Sequence, residues 1–140
     1  MFPQYSTTTT LSIFELIKSI IKKDKSYFEN IRISAVNDFH DNNLYIQSCA
    51  TKIRTTQQRI GKPDKLLFSF HGIPQSYVCD DEPYQSQCLS TASLIARELN
   101  LDESQYEVAF QSRFGRAEWI KPYLSSRLEE LPKEGIQNIH

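Results

Sequence analysis

The first group in the sequence that could do chemistry is a histidine at the end of an apolar run. Residues 66–70 read Leu-Leu-Phe-Ser-Phe, and His71 and Gly72 follow at once. A histidine at the end of a buried strand is held by a rigid element, and its neutral imidazole can bind a metal ion or accept a proton. Gly72 permits a sharp turn and a close ligand approach that a Cβ would obstruct. We therefore predict a metal ligand or base at His71; the alternative is a structural histidine bonded to a loop carbonyl.

A second polar loop follows the apolar run at residues 106–110. It contains Arg113 and Arg116, whose guanidinium groups could bind ligand carboxylates through charge-assisted hydrogen bonds. The alternative for both is a pair of solvated surface arginines. His40 lies beyond the end of another predicted strand and could line the same crevice at the strand ends as His71, although a histidine in a loop is more often solvated.

Three consecutive acids, Asp80, Asp81 and Glu82, lie in the loop after His71. Carboxylates and an imidazole can share a metal ion, but capping of the following helix and interaction with its dipole explain the run without one. The sequence contains no GxGxxG, GxxxxGK[ST], GxSxG or HExxH motif, so dinucleotide, phosphate-loop and common hydrolase sites lack their signatures.

These groups need a scaffold, and the hydrophobic pattern predicts one of alternating helices and strands. In chain order we predict a helix at 11–23, a strand at 31–36, a helix capped by Asn42 or Asn43 and stopped by 61–63, a strand at 66–70, a helix from Pro83 to Leu99, a strand at 106–110 and a helix at 117–134. This alternation predicts an α/β fold with a Rossmann-like parallel sheet and flanking helices. Ligands bind such sheets at the carboxyl ends of the strands, where His71 and Arg113 are expected.

Composition narrows the classes of function. The chain has 140 residues, about one domain's worth, with 16 basic and 17 acidic residues and a net charge of -1. A nucleic-acid binder that works through bulk electrostatics would be clearly basic. The chain has three cysteines and no CxxC pair, so we expect neither a disulfide framework nor a four-ligand zinc site nor an iron–sulfur centre. Unpaired cysteines favour a reducing, cytoplasmic setting. We expect neither a signal peptide nor a transmembrane helix.

Four blocks of residues together resemble the ferrochelatase family, in its bacterial form, in their order and spacing. They are Phe2-Pro3-Gln4-Tyr5-Ser6 with Thr7-Thr8-Thr9, then 68–74, then Pro83-Tyr84 with Gln87-Cys88, then 110–116 with Trp119 and Pro122-Tyr123. One difference is that the family commonly has Gly-Asp-Pro-Tyr where this chain reads Asp-Glu-Pro-Tyr at 81–84.

The resemblance implies an enzyme that inserts ferrous iron into protoporphyrin IX to form protohaem. It implies the chelatase fold, with two Rossmann-like halves and the porphyrin in the cleft between them. His71 would then be the active-site histidine, which binds the incoming iron or accepts a pyrrole proton. The resemblance also implies, less strongly than for His71, that five further residues bind the porphyrin: Gln4, Tyr5, Ser6, Arg113 and Arg116.

We expect residues 1–28 to be the end of the first chelatase half with its connecting helix. Residues 29–140 would be most of the second half, without its C-terminal part or the family's second active-site acid. Protoporphyrin IX and ferrous iron are the expected partners, iron being a substrate rather than a cofactor, and no further cofactor is required. A peripheral membrane contact and the oligomeric state stay open. The alternatives are a non-catalytic truncated remnant with weak metal or porphyrin binding, and a chelatase for another tetrapyrrole or metal such as cobalt.

Overall fold

The computed structural model describes residues 2–140, which form five α-helices and two β-strands. The helices are α1 (Ser12–Lys23), α2 (Lys25–Phe28), α3 (Asn43–Ile60), α4 (Tyr84–Glu98) and α5 (Leu124–Glu130), and the strands are β1 (Leu66–His71) and β2 (Tyr106–Gln111). A π-helical turn at Thr7–Leu11 precedes α1, and 3-10 turns lie at Gln75–Tyr77 and Leu131–Glu134. The predicted mixture of helices and strands is confirmed.

Strands β1 and β2 are parallel neighbours, joined through α4 in the way an α/β fold requires. Their register runs from Leu66 beside Tyr106 to His71 beside Gln111. Short pairings extend the sheet on both sides, because the Leu67 amide donates to the His140 carbonyl and the Phe110 amide donates to the Pro122 carbonyl, both at 2.8 Å. The register therefore brings the polar ends of both strands to one edge of the sheet.

The core lies where the sheet meets α4 and the segment after β2. Six buried residues form its main cluster: Ile73, Cys88, Ala92, Val108, Phe110 and Ile120. A second cluster of Ile46, Ala50 and Ile95 joins α3 to α4. Helix α3 begins as predicted, since the Asn42 side chain accepts hydrogen bonds from the backbone amides of Leu44 and Tyr45.

The predicted strand at 31–36 is wrong. No strand forms between Phe28 and Asn43, and Ile31, Ile33 and Val36 are 49%, 48% and 51% exposed. Alternation of apolar and polar residues stabilises a strand only when one face is buried and a neighbouring strand accepts its backbone hydrogen bonds. Neither condition is met by the described residues around this segment.

The predicted helix at 117–134 is correct only in its second half, where α5 covers 124–130. Residues 119–123 instead run along the ends of the strands: Trp119 bridges Pro74, and the Ile120 amide donates to the Ile73 carbonyl at 3.0 Å. Pro122 has no amide hydrogen and would break the interior of a helix. Instead of joining a helix, the Pro122 carbonyl accepts a hydrogen bond from the Phe110 amide of β2.

Helix α1 forms as predicted, but none of its residues is buried. Four of its apolar side chains, Ile13, Leu16, Ile17 and Ile20, are exposed to solvent, and Phe14 and Ile21 are partly exposed. None of the helices within residues 2–140 has both the length and the apolar composition needed to cross a lipid bilayer.

Candidate functional site

A pocket of about 400 Å³ opens at the carboxyl end of β1. One wall comes from the N-terminal segment and the other from the loop after β1, with Tyr84 and Trp119 beside it. The lining residues are Phe2, Gln4, Ser6, Thr8, Thr9, His71, Gly72, Ile73, Pro74, Tyr84 and Trp119. Its volume and its mixture of aromatic, apolar and hydroxyl groups are typical of a small-molecule site.

His71 is the last residue of β1, and its side chain is exposed at the pocket. Its backbone is fixed, because His71 pairs with Gln111 of β2 in the sheet and its carbonyl accepts a hydrogen bond of 2.8 Å from the Tyr84 hydroxyl. The imidazole itself has no hydrogen-bond partner among residues 2–140. A ring on a fixed backbone with a free nitrogen lone pair can bind a metal ion or take up a proton.

Gly72 lets the pocket floor approach β2. Its amide donates to the Gln111 carbonyl at 2.8 Å, and a Cβ at this position would lie 3.0 Å from that oxygen and 3.2 Å from Cε3 of Trp119. The Trp119 ring is held from its other side, since its Nε1 donates to the Phe114 carbonyl at 3.0 Å. The sequence suggested that Gly72 leaves room for a turn and a ligand; the structure shows that β2 and the Trp119 ring occupy that room.

The N-terminal wall is attached to α4 by side-chain hydrogen bonds. Gln4 is 6% exposed, and its Nε2 donates to Oγ1 of Thr91 at 3.0 Å. The Tyr5 amide donates to Oε1 of Gln87 at 2.6 Å. Gln4 and Ser6 line the pocket, whereas Tyr5 does not and contributes a backbone contact instead; the porphyrin-binding role of all three stays a prediction.

Glu82 has a role that the sequence did not predict. It is 6% exposed, and its Oε2 accepts hydrogen bonds from Oγ of Ser6 at 3.1 Å, from the Thr7 amide at 2.8 Å and from Oγ1 of Thr7. Its Oε1 accepts from the Tyr84 amide at 3.3 Å, which agrees with the predicted stabilisation of the start of α4. Four donors thus surround the only buried carboxylate of the acidic run.

Arg113 and Arg116 lie outside the pocket. Both are exposed, and neither is among the lining residues. The Arg113 guanidinium lies 4.8 Å from the centre of the Tyr123 ring, a cation–π arrangement. The structure therefore does not bring these two arginines to the same cavity as His71.

His40 is not among the residues that line the pocket either. Its Nδ1 is 2.7 Å from Oδ1 of Asp38, and ligand atoms of Asp38, His40 and Asp41 lie within 4.8 Å of one another. In the part of the chain that the structure describes, this is the only cluster of three such groups close enough to share a metal ion. Of the two alternatives for His40, the structure does not support a place in the pocket wall; its carbonyl accepts a hydrogen bond of 2.8 Å from the Thr91 hydroxyl.

Tyr84 was in the resembling blocks but had not been predicted as a site residue. Burial and the adjacent Cys88 raise the pKa of its hydroxyl, so it stays protonated and can donate to the His71 carbonyl. Burial also raises the pKa of Cys88 to about 12. The lining residues Thr8 and Thr9 were missed as well, because a run of four threonines has no periodicity that marks one of them as a ligand.

Comparison with known proteins bears on the whole chain. The family model named Ferrochelatase matches residues 1–140. The chain is 41% identical over 138 residues to a ferrochelatase of Janthinobacterium sp. (strain Marseille), 42% identical over 139 residues to one of Psychrobacter arcticus, and 39% identical over 139 residues to one of Methylococcus capsulatus. Each alignment covers 99% of this chain but only 37%, 40% and 42% of the respective relative.

The matched segment thus spans about two fifths of the length of these curated relatives. It includes every residue that lines the pocket. The alignments extend over 138 and 139 of the 140 residues, so the similarity is not limited to one short segment. The chain belongs to the ferrochelatase family.

Proposed function

We propose that this chain carries part of the site at which ferrous iron is inserted into protoporphyrin IX. The observation that carries the proposal is the imidazole of His71, which has no hydrogen-bond partner within residues 2–140 and lies at the edge of an aromatic and hydroxyl-lined pocket. The family match and the names of the relatives support it. Protoporphyrin IX and ferrous iron are the substrates, and the reaction needs no further cofactor.

The reaction exchanges one metal ion for two protons. Ferrous iron binds the four pyrrole nitrogens while the two N–H protons of the free porphyrin leave, so the charge of the macrocycle is unchanged. A neutral imidazole can accept one proton at a time and pass it to solvent, or it can hold the iron on its way in. His71 suits both tasks, because its backbone is fixed by β1 and Tyr84 while its ring is exposed.

The walls of the pocket suit a flat aromatic ligand with polar edges. Phe2, Ile73 and Trp119 offer apolar surface, and Ser6 and Thr8 offer hydroxyl groups. We assign porphyrin contacts to Gln4 and Ser6 in the pocket and to the Tyr5 backbone beside it. Arg113 and Arg116 take a lesser role, as exposed cations that could meet a carboxylate extending beyond the pocket.

Binding and metal insertion by the 140-residue chain test the proposal. Protoporphyrin IX is titrated and its fluorescence followed, and insertion of ferrous iron or of zinc is followed by porphyrin absorbance. We expect porphyrin binding by the wild type, and we expect His71→Ala to keep that binding but to lose metal transfer. His40→Ala is the matched control, since that histidine lies outside the pocket. The proposal fails if the wild type does not bind porphyrin, or if His71→Ala transfers metal as fast as the wild type.

A second candidate is binding without turnover. The chain spans only 37% to 42% of its relatives' length, so a site built by a whole relative would be represented here in part. In that case the wild type binds porphyrin but transfers no metal. Repeating the assay with cobalt separates ferrous iron insertion from insertion of another metal.

A cytoplasmic location agrees with the unpaired cysteines.

A further inference from the structure

We propose that Glu82 is a positioning residue that holds the two walls of the pocket in register around His71. This inference rests on the proposed function for the identity of the ligand. The carboxylate joins chain segments that are 75 positions apart, and it is buried at the point where they meet.

The first wall depends on Oε2 of Glu82. This oxygen accepts hydrogen bonds from the Ser6 hydroxyl, the Thr7 amide and the Thr7 hydroxyl. Ser6 lines the pocket, and its Oγ also accepts from the amide of Thr8, a second lining residue. The Ser6–Thr8 part of this wall is therefore held by an acceptor that lies outside the wall itself.

The second wall depends on Oε1 of the same carboxylate. Oε1 accepts from the amide of Tyr84, the first residue of α4. The Tyr84 hydroxyl in turn donates to the His71 carbonyl at 2.8 Å, and Tyr84 also lines the pocket. One buried side chain thus links the hydroxyl-bearing wall to the strand end that carries His71, in addition to the bonds of Gln4 and Tyr5 to α4.

A carboxylate suits this position better than any neutral group. It has two acceptor oxygens and no donor, and all four of its partners donate. A glutamine has a single oxygen, so either Tyr84 or the pair Ser6 and Thr7 would face an NH₂ group. Buried donors left without an acceptor cost free energy, and the wall that loses its acceptor is expected to move.

The test compares Glu82→Gln with Glu107→Gln in the 140-residue chain. Glu107 is also a largely buried carboxylate with cationic partners, Lys65 and Arg127, but it lies near the beginning of β2, away from the pocket. Both variants remove a charged hydrogen-bond acceptor, so both are expected to lower the Tm. Only Glu82→Gln is expected to raise the Kd for protoporphyrin IX, by about 10-fold, the loss typical of one hydrogen bond to a charged group.

Hydrogen exchange at the Thr7 amide provides a readout that needs no porphyrin. We expect faster exchange there in Glu82→Gln and unchanged exchange in Glu107→Gln. If the wild type does not bind porphyrin, the proposed function fails, while the Thr7 amide still decides whether Glu82 holds the wall. Unchanged Thr7 exchange in Glu82→Gln, or faster exchange with an unchanged porphyrin Kd, overturns the positioning role.

A second variant covers the case in which Glu82→Gln does not fold. Thr7→Val removes one donor to Oε2 and leaves the bond from the Tyr84 amide in place, and Thr7 does not line the pocket. It is expected to accelerate exchange at its own amide and to weaken porphyrin binding by a smaller factor. No change in either quantity contradicts the inference.

Discussion

Replacing Gly72 by alanine adds a single methyl group at a closely packed point of the pocket lining. The new Cβ would lie 3.0 Å from the Gln111 carbonyl oxygen and 3.2 Å from Cε3 of Trp119. The first neighbour is backbone of β2, which its parallel pairing with β1 keeps from moving. The second is a ring that can move only by straining its hydrogen bond to the Phe114 carbonyl.

The magnitude follows from two opposing effects. Forcing an extra methyl group into a packed site costs about 1–3 kcal/mol, and the upper part applies here because one neighbour is backbone. The φ of Gly72 lies outside the left-handed region, so alanine recovers about 0.4–1 kcal/mol by restricting the unfolded chain. We expect Gly72→Ala to lower the free energy of unfolding by about 2 kcal/mol.

Urea unfolding measures this loss, and the native fluorescence of Trp119 reports on its cause. Trp119 is the only tryptophan in the chain, so a displaced ring changes the whole signal. Gly61→Ala is the control: it is strained by a φ of +97°, but a Cβ there has no neighbour within 4 Å. That variant should lose stability with unchanged native emission. If Gly72→Ala loses less than about 0.5 kcal/mol, well below the usual cost of overpacking, and keeps the wild-type emission, the steric reasoning is refuted.

Two further predictions concern the elements that support the pocket. Asn42→Ala removes the acceptor for the first amides of α3 and should lower the free energy of unfolding by about 1 kcal/mol, measured with urea; no loss would contradict the capping role. Burial raises the pKa of Cys88 from 9.0 to about 12, so its contribution to stability is present below pH 9 and is lost as the pH rises from 9 to 12. Between pH 8 and pH 10 the wild type should therefore lose about 1 kcal/mol more than Cys88→Ala, and equal losses would show that the thiol does not titrate in this way.

Elements with local signals were predicted well. The almost continuous apolar run of β1 and the asparagine before α3 each act within a few residues, and both predictions are confirmed. The strand predicted at 31–36 had the right alternation but no neighbouring strand, and such a neighbour lies beyond any local pattern. The same limit applies to Trp119, whose segment follows the strand ends instead of coiling into a helix.

The residues of the site likewise divide into those with a local sequence signal and those without one. His71 was predicted because the end of a parallel strand is where such sheets bind ligands. Gln4 and Ser6 came only from the family resemblance, because nothing near them in the sequence indicates a pocket. The contact between Glu82 and Thr7 was not predicted, since the acidic run has a sufficient local explanation at the start of α4. Contacts over such sequence separations depend on the completed fold.

The attachment of the N-terminal segment also bears on the order in which the molecule assembles. Its bonds to Glu82, Gln87 and Thr91 close chain loops of 75, 82 and 87 positions. Closing a loop of this length costs about 4 kcal/mol in chain entropy, but once one bond has formed the other two close almost the same loop at little further cost. The segment should therefore attach and detach as a cooperative unit, after β1, α4 and β2 have come together. The pocket would then be the last part of the molecule to form, and a ligand that bridges its walls would slow their separation.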